Sequence, residues 1–281
     1  MHKSIFLKVT DYLSDPITEY RRICKFINKY CYFSNSIHQI MEKNFQKCEC
    51  LRTRFIDFEE CLVSCTENIN SDFTRYYEYF QLEEEKRLKI LDDFLSFCEV
   101  VYCLLKTVQK EYMSRSSSID RKYFDYYLFE QTFELIDSSL KSLNYKLEII
   151  DENKNTVVAI KINPEVEVVA AQSEPSIRHT ILAYLGCKDI ELEEKERILL
   201  QLINQLEPTM IKYQNDNTIS KIKGYVQLIR HPERKNKELR YKWFFENKNQ
   251  YLDDLFLCCI YVQQHLVVKQ KLKDFDNFTI E

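Results

Sequence analysis

The sequence predicts a mainly α-helical fold, in which long antiparallel helices form a bundle and one small β-hairpin lies near residues 145–162. Three observations support this prediction. Apolar residues recur at spacings of three and four along most of the chain, which is the period of an amphipathic helix. One short segment switches to a strand-like pattern. Only two glycines, Gly186 and Gly224, occur in 281 residues, which leaves few positions for the tight turns of a large sheet.

A serine-rich segment at residues 114–118 predicts the main linker of the chain. It divides the sequence into an N-terminal helical hairpin or bundle region, residues 1–113, and a C-terminal helical domain, residues 119–281, which contains the β-hairpin. The length suits one large or two ordinary domains. Whether the two parts fold independently stays open at the level of the sequence.

The N-terminal region is predicted to contain three helices, at residues 16–33, 36–67 and 71–113. Asp15 supplies a cap and Pro16 a first-turn proline for the first of them. The polar triplet at 34–36 ends this helix and caps the second. The second helix carries a long apolar stripe, formed by Met41, Phe45, Cys48, Leu51, Phe55, Phe58, Leu62 and Cys65.

The helical period returns after the linker, at residues 119–143, 165–185, 188–207, 209–230 and 249–273. The two predicted strands, 145–150 and 156–162, follow the first of these helices and flank a polar turn. Pro164 starts the next helix, Gly186 caps its end, and Pro208 separates the following two. The last helix is apolar nearly all round, which predicts a central, buried position.

Composition excludes several classes of function. The net charge of −4 gives no global attraction to nucleic acid or membrane, so an anion site would have to be a local patch. Two glycines are too few for a Walker loop or a dinucleotide-binding fingerprint, and we expect no cofactor. Neither a transmembrane run nor a signal peptide is visible, so we expect a cytoplasmic protein without a membrane contact.

The eleven cysteines raise the question of a metal site. The candidate pairs, Cys48/Cys50, Cys61/Cys65 and Cys258/Cys259, do not have the C-x2-C spacing of a zinc knuckle. Cys48, Cys65 and others such as Cys24, Cys31 and Cys98 instead fall on apolar helical stripes. The pattern therefore predicts small core residues, with neither a bound metal nor disulfides.

The most promising stretch for binding is basic. Residues 212–242 contain nine Lys or Arg and three Asp or Glu, whereas the preceding residues 187–207 contain three basic and six acidic residues. A basic loop between helices, with aromatic residues nearby, can hold phosphate or single-stranded RNA. A solvated loop that pairs with the acidic helix explains the same charges. The candidate phosphate-binding residues are Arg230, Arg234, Lys235, Lys237 and Arg240.

Two histidines each follow an arginine, as Arg178-His179 and as Arg230-His231. An Arg–His pair can bind a phosphate and supply a general acid or base near neutral pH. If the two pairs converged in the fold, they could serve a metal-independent ribonuclease. Structural roles explain each pair separately.

The order of elements in residues 120–273 forms a further pattern. An aromatic helix leads to the hairpin, an acidic helix with Arg197-Ile198-Leu199-Leu200 follows, and a helix ending in Ile229-Arg230-His231 precedes the apolar terminal helix. This half resembles helical proteins of bacterial abortive-infection loci, some of them related to the HEPN domain. Catalytic HEPN ribonucleases carry an arginine and, about five residues later on the same helix, a histidine. That spacing is absent here, so the resemblance implies a non-catalytic member.

The sequence therefore favours a non-enzymatic helical component of a bacterial phage-defence or toxin system that binds a protein partner or RNA. The long striped helices predict a homo-oligomer or a complex with another protein. Two alternatives stay open: a ribonuclease toxin that uses the Arg–His pairs, and a purely structural helical scaffold.

Overall fold

The computed structural model describes residues 15–29, 35–69, 79–114, 126–151, 156–187, 191–230 and 246–278. Within these ranges the chain is mainly helical and contains one two-stranded antiparallel sheet, which confirms the predicted fold class. None of the helices in these ranges has the length and apolar character needed to cross a membrane. The chain divides into two compact units, Met1–Ile162 and Asn163–Glu281, called unit 1 and unit 2 below.

The described part of unit 1 ends in the β-hairpin. Its strands, β1 (Tyr145–Asp151) and β2 (Thr156–Lys161), pair antiparallel with Leu147 opposite Ala159, as the sequence predicted. A 3₁₀ turn, Phe45–Lys47, also occurs in this unit. The helices are α1 (Pro16–Ile27), α2 (Ile37–Asn44), α3 (Glu49–Arg52), α4 (Phe58–Ser64), α5 (Glu84–Ser114) and α6 (Tyr126–Ser142).

Helix α5 lies at the centre of unit 1. Apolar side chains are fully buried along most of its length, among them Phe94, Cys98 and Leu104. Helices α1, α2, α4 and α6 and strand β2 all pack against it. The backbone amide of Ala159 donates a hydrogen bond to the Glu99 carboxylate on α5 (2.8 Å). A lone hairpin is marginal in water, and this packing on α5 supplies the missing support.

The predicted continuous helix over residues 36–67 is wrong. Ser36 caps α2 as predicted, with a reciprocal hydrogen bond to Gln39, but the helix ends at Asn44 and α4 begins afresh after Asp57. The Asp57 carboxylate accepts from the Glu60 amide (2.8 Å), and the Glu60 carboxylate accepts from the Ile56 amide (2.5 Å). The Asp57 cap, with Glu60 reaching back to the residue before it, starts a new helix without any glycine or proline.

The apolar stripe predicted for this region is nevertheless buried. Met41, Phe45, Cys48, Leu51, Phe58, Cys61 and Cys65 all belong to the core of unit 1. Spacing therefore identified the side chains that face α5, although it did not show where the backbone breaks.

The division of the chain differs from the predicted one. The predicted linker lies almost wholly outside the described residues, and α6 packs against α1, α5 and β1. Contacts therefore group residues 126–162 with the N-terminal unit, whereas the sequence assigned them to the C-terminal domain. The boundary between the compact units falls after Ile162.

Unit 2 is built around its last helix. Helix α11 (Lys248–Phe278) packs against α7 (Pro164–Ala171), α9 (Leu192–Lys212) and α10 (Asn217–Arg230), and α8 (Pro175–Leu185) packs against α7 and α9. One face of α11 is buried, with Leu252, Leu255 and Cys259 in the core. The predicted central position is confirmed for that face, while other apolar side chains of the helix stay exposed.

Two predicted boundaries in unit 2 are wrong, both at prolines. Pro175 starts a separate helix, because Glu174 before it is extended (ψ 149°) and the α conformation is disfavoured before proline. Pro208 does not separate two helices, since α9 continues to Lys212. The buried side chain of Met210 holds this last turn in the core, which offsets the single backbone hydrogen bond that Pro208 cannot donate.

The central position of α5 predicts a large difference between two matched substitutions. Ile90→Ala on α5 removes a side chain that is 0% exposed, so it should lower the free energy of unfolding by about 2–5 kcal/mol. Ile56→Ala removes one that is 83% exposed, and it should change stability by less than about 0.5 kcal/mol. Urea titration followed by circular dichroism measures both; equal losses would contradict the central position of α5.

Candidate functional site

Most of the predicted basic patch lies outside the described residues. His231, Arg234, Lys235, Lys237 and Arg240 all belong to that undescribed stretch. Arg230, the last residue of α10, is described. Phosphate binding by this segment therefore stays a prediction.

The Arg230 guanidinium forms a bridge between α10 and α9. It donates two hydrogen bonds to the Glu207 carboxylate (3.0 and 3.2 Å) and one to the Asn204 side-chain oxygen (2.5 Å). The side chain of Arg230 is 21% exposed. The hydrogen bonds and the charge of Arg230 lower the pKa of Glu207. A phosphate at Arg230 would have to compete with this bidentate carboxylate.

The second Arg–His pair lies on another helix. Arg178 and His179 are exposed in the first half of α8, whereas Arg230 ends α10, and both helices pack on α9. Convergence of the two pairs is untested, because His231 is outside the described ranges. The pairs therefore stay candidates for the ribonuclease alternative only.

A buried lysine in unit 2 joins three helices. The Lys195 ammonium group, in a side chain 4% exposed, contacts Asp253 (3.0 and 3.3 Å) and Asn249 (2.8 Å) on α11. The Tyr184 hydroxyl on α8 donates to the same Asp253 carboxylate (2.9 Å), and its ring stacks on Phe256 (4.0 Å). Asp253 offsets the charge of the lysine, so the network stabilises the junction of α8, α9 and α11.

Several thiols gather beside α5. Cys48 and Cys50 have their sulfur atoms 3.4 Å apart, and Cys50 also hydrogen-bonds to Cys103. Cys61 hydrogen-bonds to Cys65, and this contact together with burial raises the Cys61 pKa. The contact with Cys103 and burial raise the Cys50 pKa to about 11. Thiols with raised pKa values are protonated at neutral pH and are weak nucleophiles.

The burial of cysteines matches the core role predicted for them. Cys48, Cys65 and Cys98 are buried, Cys24 is half-buried, and Cys31 lies outside the described residues. Across the ranges that the structure describes, no three His, Cys, Asp or Glu side chains are arranged to hold a metal ion.

A polar groove lies between α1 and α6 in unit 1. One wall, formed by α1 and the turn after it, carries three cations at spacings of three and four residues. The other wall, on α6, carries polar side chains at the same spacings. The groove has a volume of about 540 Å³. Its lining residues are Arg22, Lys25 and Phe26 on α1, Lys29 in the turn after α1, and Gln131, Glu134, Leu135 and Ser138 on α6.

A buried carboxylate holds the two walls of the groove together. Glu19, whose side chain is 7% exposed, accepts a hydrogen bond from the Ser139 hydroxyl on α6 (2.5 Å) and from Arg22 (3.3 Å). The Arg22 side chain itself is 57% exposed. Arg22 therefore balances the buried charge while part of its guanidinium faces the groove.

The other two cations of the groove are more available. Lys25 and Lys29 are exposed, and the Lys29 ammonium group lies over the Phe26 ring, 4.6 Å from its centre. Glu134 on the opposite wall is also exposed and carries the opposing charge. The groove thus combines excess positive charge, an aromatic ring and the hydrogen-bonding groups of Gln131 and Ser138.

No family model, curated protein or solved structure matches the chain.

The sequence analysis missed this groove. The arginines and lysines at residues 21, 22, 25 and 29 repeat at helical spacing, and that repeat could have marked α1 as a basic face. The second wall was not visible, because α6 is more than a hundred residues away in the chain. Glu19 and Ser139, which connect the walls, are 120 residues apart.

The Arg230 bridge predicts a measurable titration. The Glu207 carboxyl should have a pKa below its ordinary value in the native protein and should return toward that value in Arg230→Gln, because the donated hydrogen bonds are lost. The chemical shift of the Glu207 carboxyl carbon, followed by NMR as the pH is varied, measures this pKa.

Asp216 is the control for this titration. Backbone amides of Ile219 and Thr218 lower its pKa, so it should stay low in both proteins. An ordinary Glu207 pKa in the native protein would show that the Arg230 guanidinium does not bind Glu207. Arg230 would then be available as a phosphate ligand.

Proposed function

We propose that the protein is a non-enzymatic helical component of a bacterial phage-defence or toxin system, and that it acts by binding RNA in the groove between α1 and α6. The defence context rests on the order of elements in the second half of the sequence. The binding mode rests on the groove, and above all on the line of Arg22, Lys25 and Lys29 along one of its walls.

The charge of this wall suits a phosphate backbone. Arg22 and Lys29 are seven residues apart, which is about 10 Å along a helix, and Lys25 lies between them. Positive charges in a row follow a chain of phosphates better than they surround a single anion. The overall charge of −4 makes such a local line the place where a polyanion would be attracted.

The rest of the groove suits the bases of a single strand. Phe26 offers a ring at the base of the cationic wall, and single-stranded nucleic acid binds by stacking on aromatic rings beside a basic groove. Gln131 can donate and accept hydrogen bonds opposite the cations, and Ser138, whose hydroxyl donates to the Leu135 carbonyl, can accept one. Glu134 repels phosphate, which favours a strand whose backbone lies on the α1 side.

The described residues favour binding over catalysis. The thiols with resolved shifts have raised pKa values, including about 12 for Cys187, which burial raises. Lys195 is occupied by Asp253 and Asn249, and Arg230 by Glu207 and Asn204. Lys195 and Arg230 are therefore engaged in protein contacts, and the raised thiol pKa values make those cysteines weak nucleophiles.

A charge-reversal experiment tests the groove. We expect Lys25→Glu/Lys29→Glu to weaken binding of a labelled single-stranded RNA, measured by fluorescence anisotropy, by about ten-fold or more. The salt dependence should fall as well. Three phosphate contacts give a log–log slope of about −2 for single strands, and loss of two should leave a slope of about −0.7.

Matched variants make this experiment specific. Arg52→Glu/Lys110→Glu changes the net charge by the same amount at exposed positions outside the groove lining, and should retain most of the affinity. Glu134→Gln should increase affinity, because it removes the like charge. Equal losses for the two reversed pairs would indicate a non-specific charge effect and would overturn the groove as the site.

The same samples distinguish the two alternative functions, RNA cleavage and protein binding. RNA incubated with the protein should stay intact on a denaturing gel; cleavage that disappears in Arg230→Ala/His231→Ala would support the ribonuclease instead. If RNA does not bind but an acidic peptide does, with the same dependence on Lys25 and Lys29, the partner is a protein.

A further inference from the structure

We propose that the exposed face of α11 is an interface for a second copy of this chain, with the two helices antiparallel. Four large apolar side chains on this helix are exposed: Leu257, Tyr261, Val268 and Leu272, which are 49%, 42%, 48% and 52% exposed. Single exposed apolar residues are normal, but an aligned set on one helix marks an interaction surface.

The four side chains form one stripe. At 100° per residue they fall within an arc of about 60° of the helix circumference. From Leu257 to Leu272 the stripe extends for about 22 Å, at 1.5 Å per residue. The buried face of α11 lies on other residues, such as Leu255 and Cys259. The stripe is thus separate from the contacts that hold unit 2 together.

The spacing of the stripe identifies its partner. The intervals are four, seven and four residues, which read the same in both directions. Two copies related by a two-fold axis would therefore place Leu257 of each copy on Leu272 of the other, and Tyr261 on Val268. Such an isologous contact uses the same patch on both subunits and closes as a dimer.

Charge selects the antiparallel orientation. Asp254 is exposed one turn before Leu257, at one end of the stripe. Around its other end three exposed lysines, Lys269, Lys271 and Lys273, outnumber Asp274 and Asp276. A parallel pair would place like charges together at each end. An antiparallel pair places Asp254 of each copy near the lysines of the other copy. The long side chain of Lys271 can then reach the Asp254 carboxylate.

The dimer does not depend on what the groove binds, because stripe and groove lie on different units. Sedimentation equilibrium at micromolar concentrations measures the mass of the full chain. We expect a dimer for the native protein and for the groove variant Lys25→Glu/Lys29→Glu. We expect a monomer for Tyr261→Glu/Val268→Glu, since the contact between two copies would bury four unpaired carboxylates.

A matched variant controls for the added charge. Tyr225→Glu/Val168→Glu replaces the same residue types at exposed positions of unit 2, which are 43% and 58% exposed, and should stay dimeric. A native protein that is monomeric at all concentrations overturns the proposal. So does a stripe variant that remains dimeric with the native circular dichroism spectrum.

Orientation is tested by reversing charges. Asp254→Lys should raise the dimer dissociation constant by about five-fold, because two symmetry-related attractions become repulsions. Adding Lys271→Asp should restore dimerisation if the helices are antiparallel. Failure of the second change to restore it would contradict the antiparallel arrangement.

Discussion

The burial of α5 on nearly all sides is the constraint on which unit 1 depends. Helices α1 and α6 have no alternative core to pack against, so the position of each relative to the other is set by α5. Two edge-to-face ring pairs hold α1 and α6 on α5: Tyr20–Phe97 and Tyr102–Phe133, with ring centres 4.8 and 5.0 Å apart. The groove between α1 and α6 is therefore a consequence of how the core is filled.

The Glu19 carboxylate connects the two walls of the groove that we propose as the binding surface. A buried charge is tolerated only when it is hydrogen-bonded, and Ser139 and Arg22 supply the partners from the two sides. This arrangement joins the walls at the level of the first cation and orients Arg22. It leaves Lys25 on the same helix and Lys29 in the turn after it to supply the charge that would attract an anion.

The sequence predicted what depends on periodicity and local caps. It identified the stripe that contains Met41 and Cys48, the start of α1 at Asp15, and the hairpin. It did not predict the break between Asn44 and Phe58, because the apolar period continues unbroken across the new helix start that Asp57 caps. The groove could not be predicted either: the basic face of α1 is visible in the sequence, but its opposite wall comes from a helix that only tertiary packing brings close.

The central claim is that RNA occupies the groove between α1 and α6. Ultraviolet cross-linking of bound single-stranded RNA, followed by mass spectrometry of the linked peptides, tests it directly. We expect the linked peptides to come from residues 16–29 and 126–142, with Phe26 as a principal site, because a base stacked on its ring is held in contact with it. Cross-links confined to the basic segment at residues 230–240 would contradict the claim and place RNA binding in unit 2.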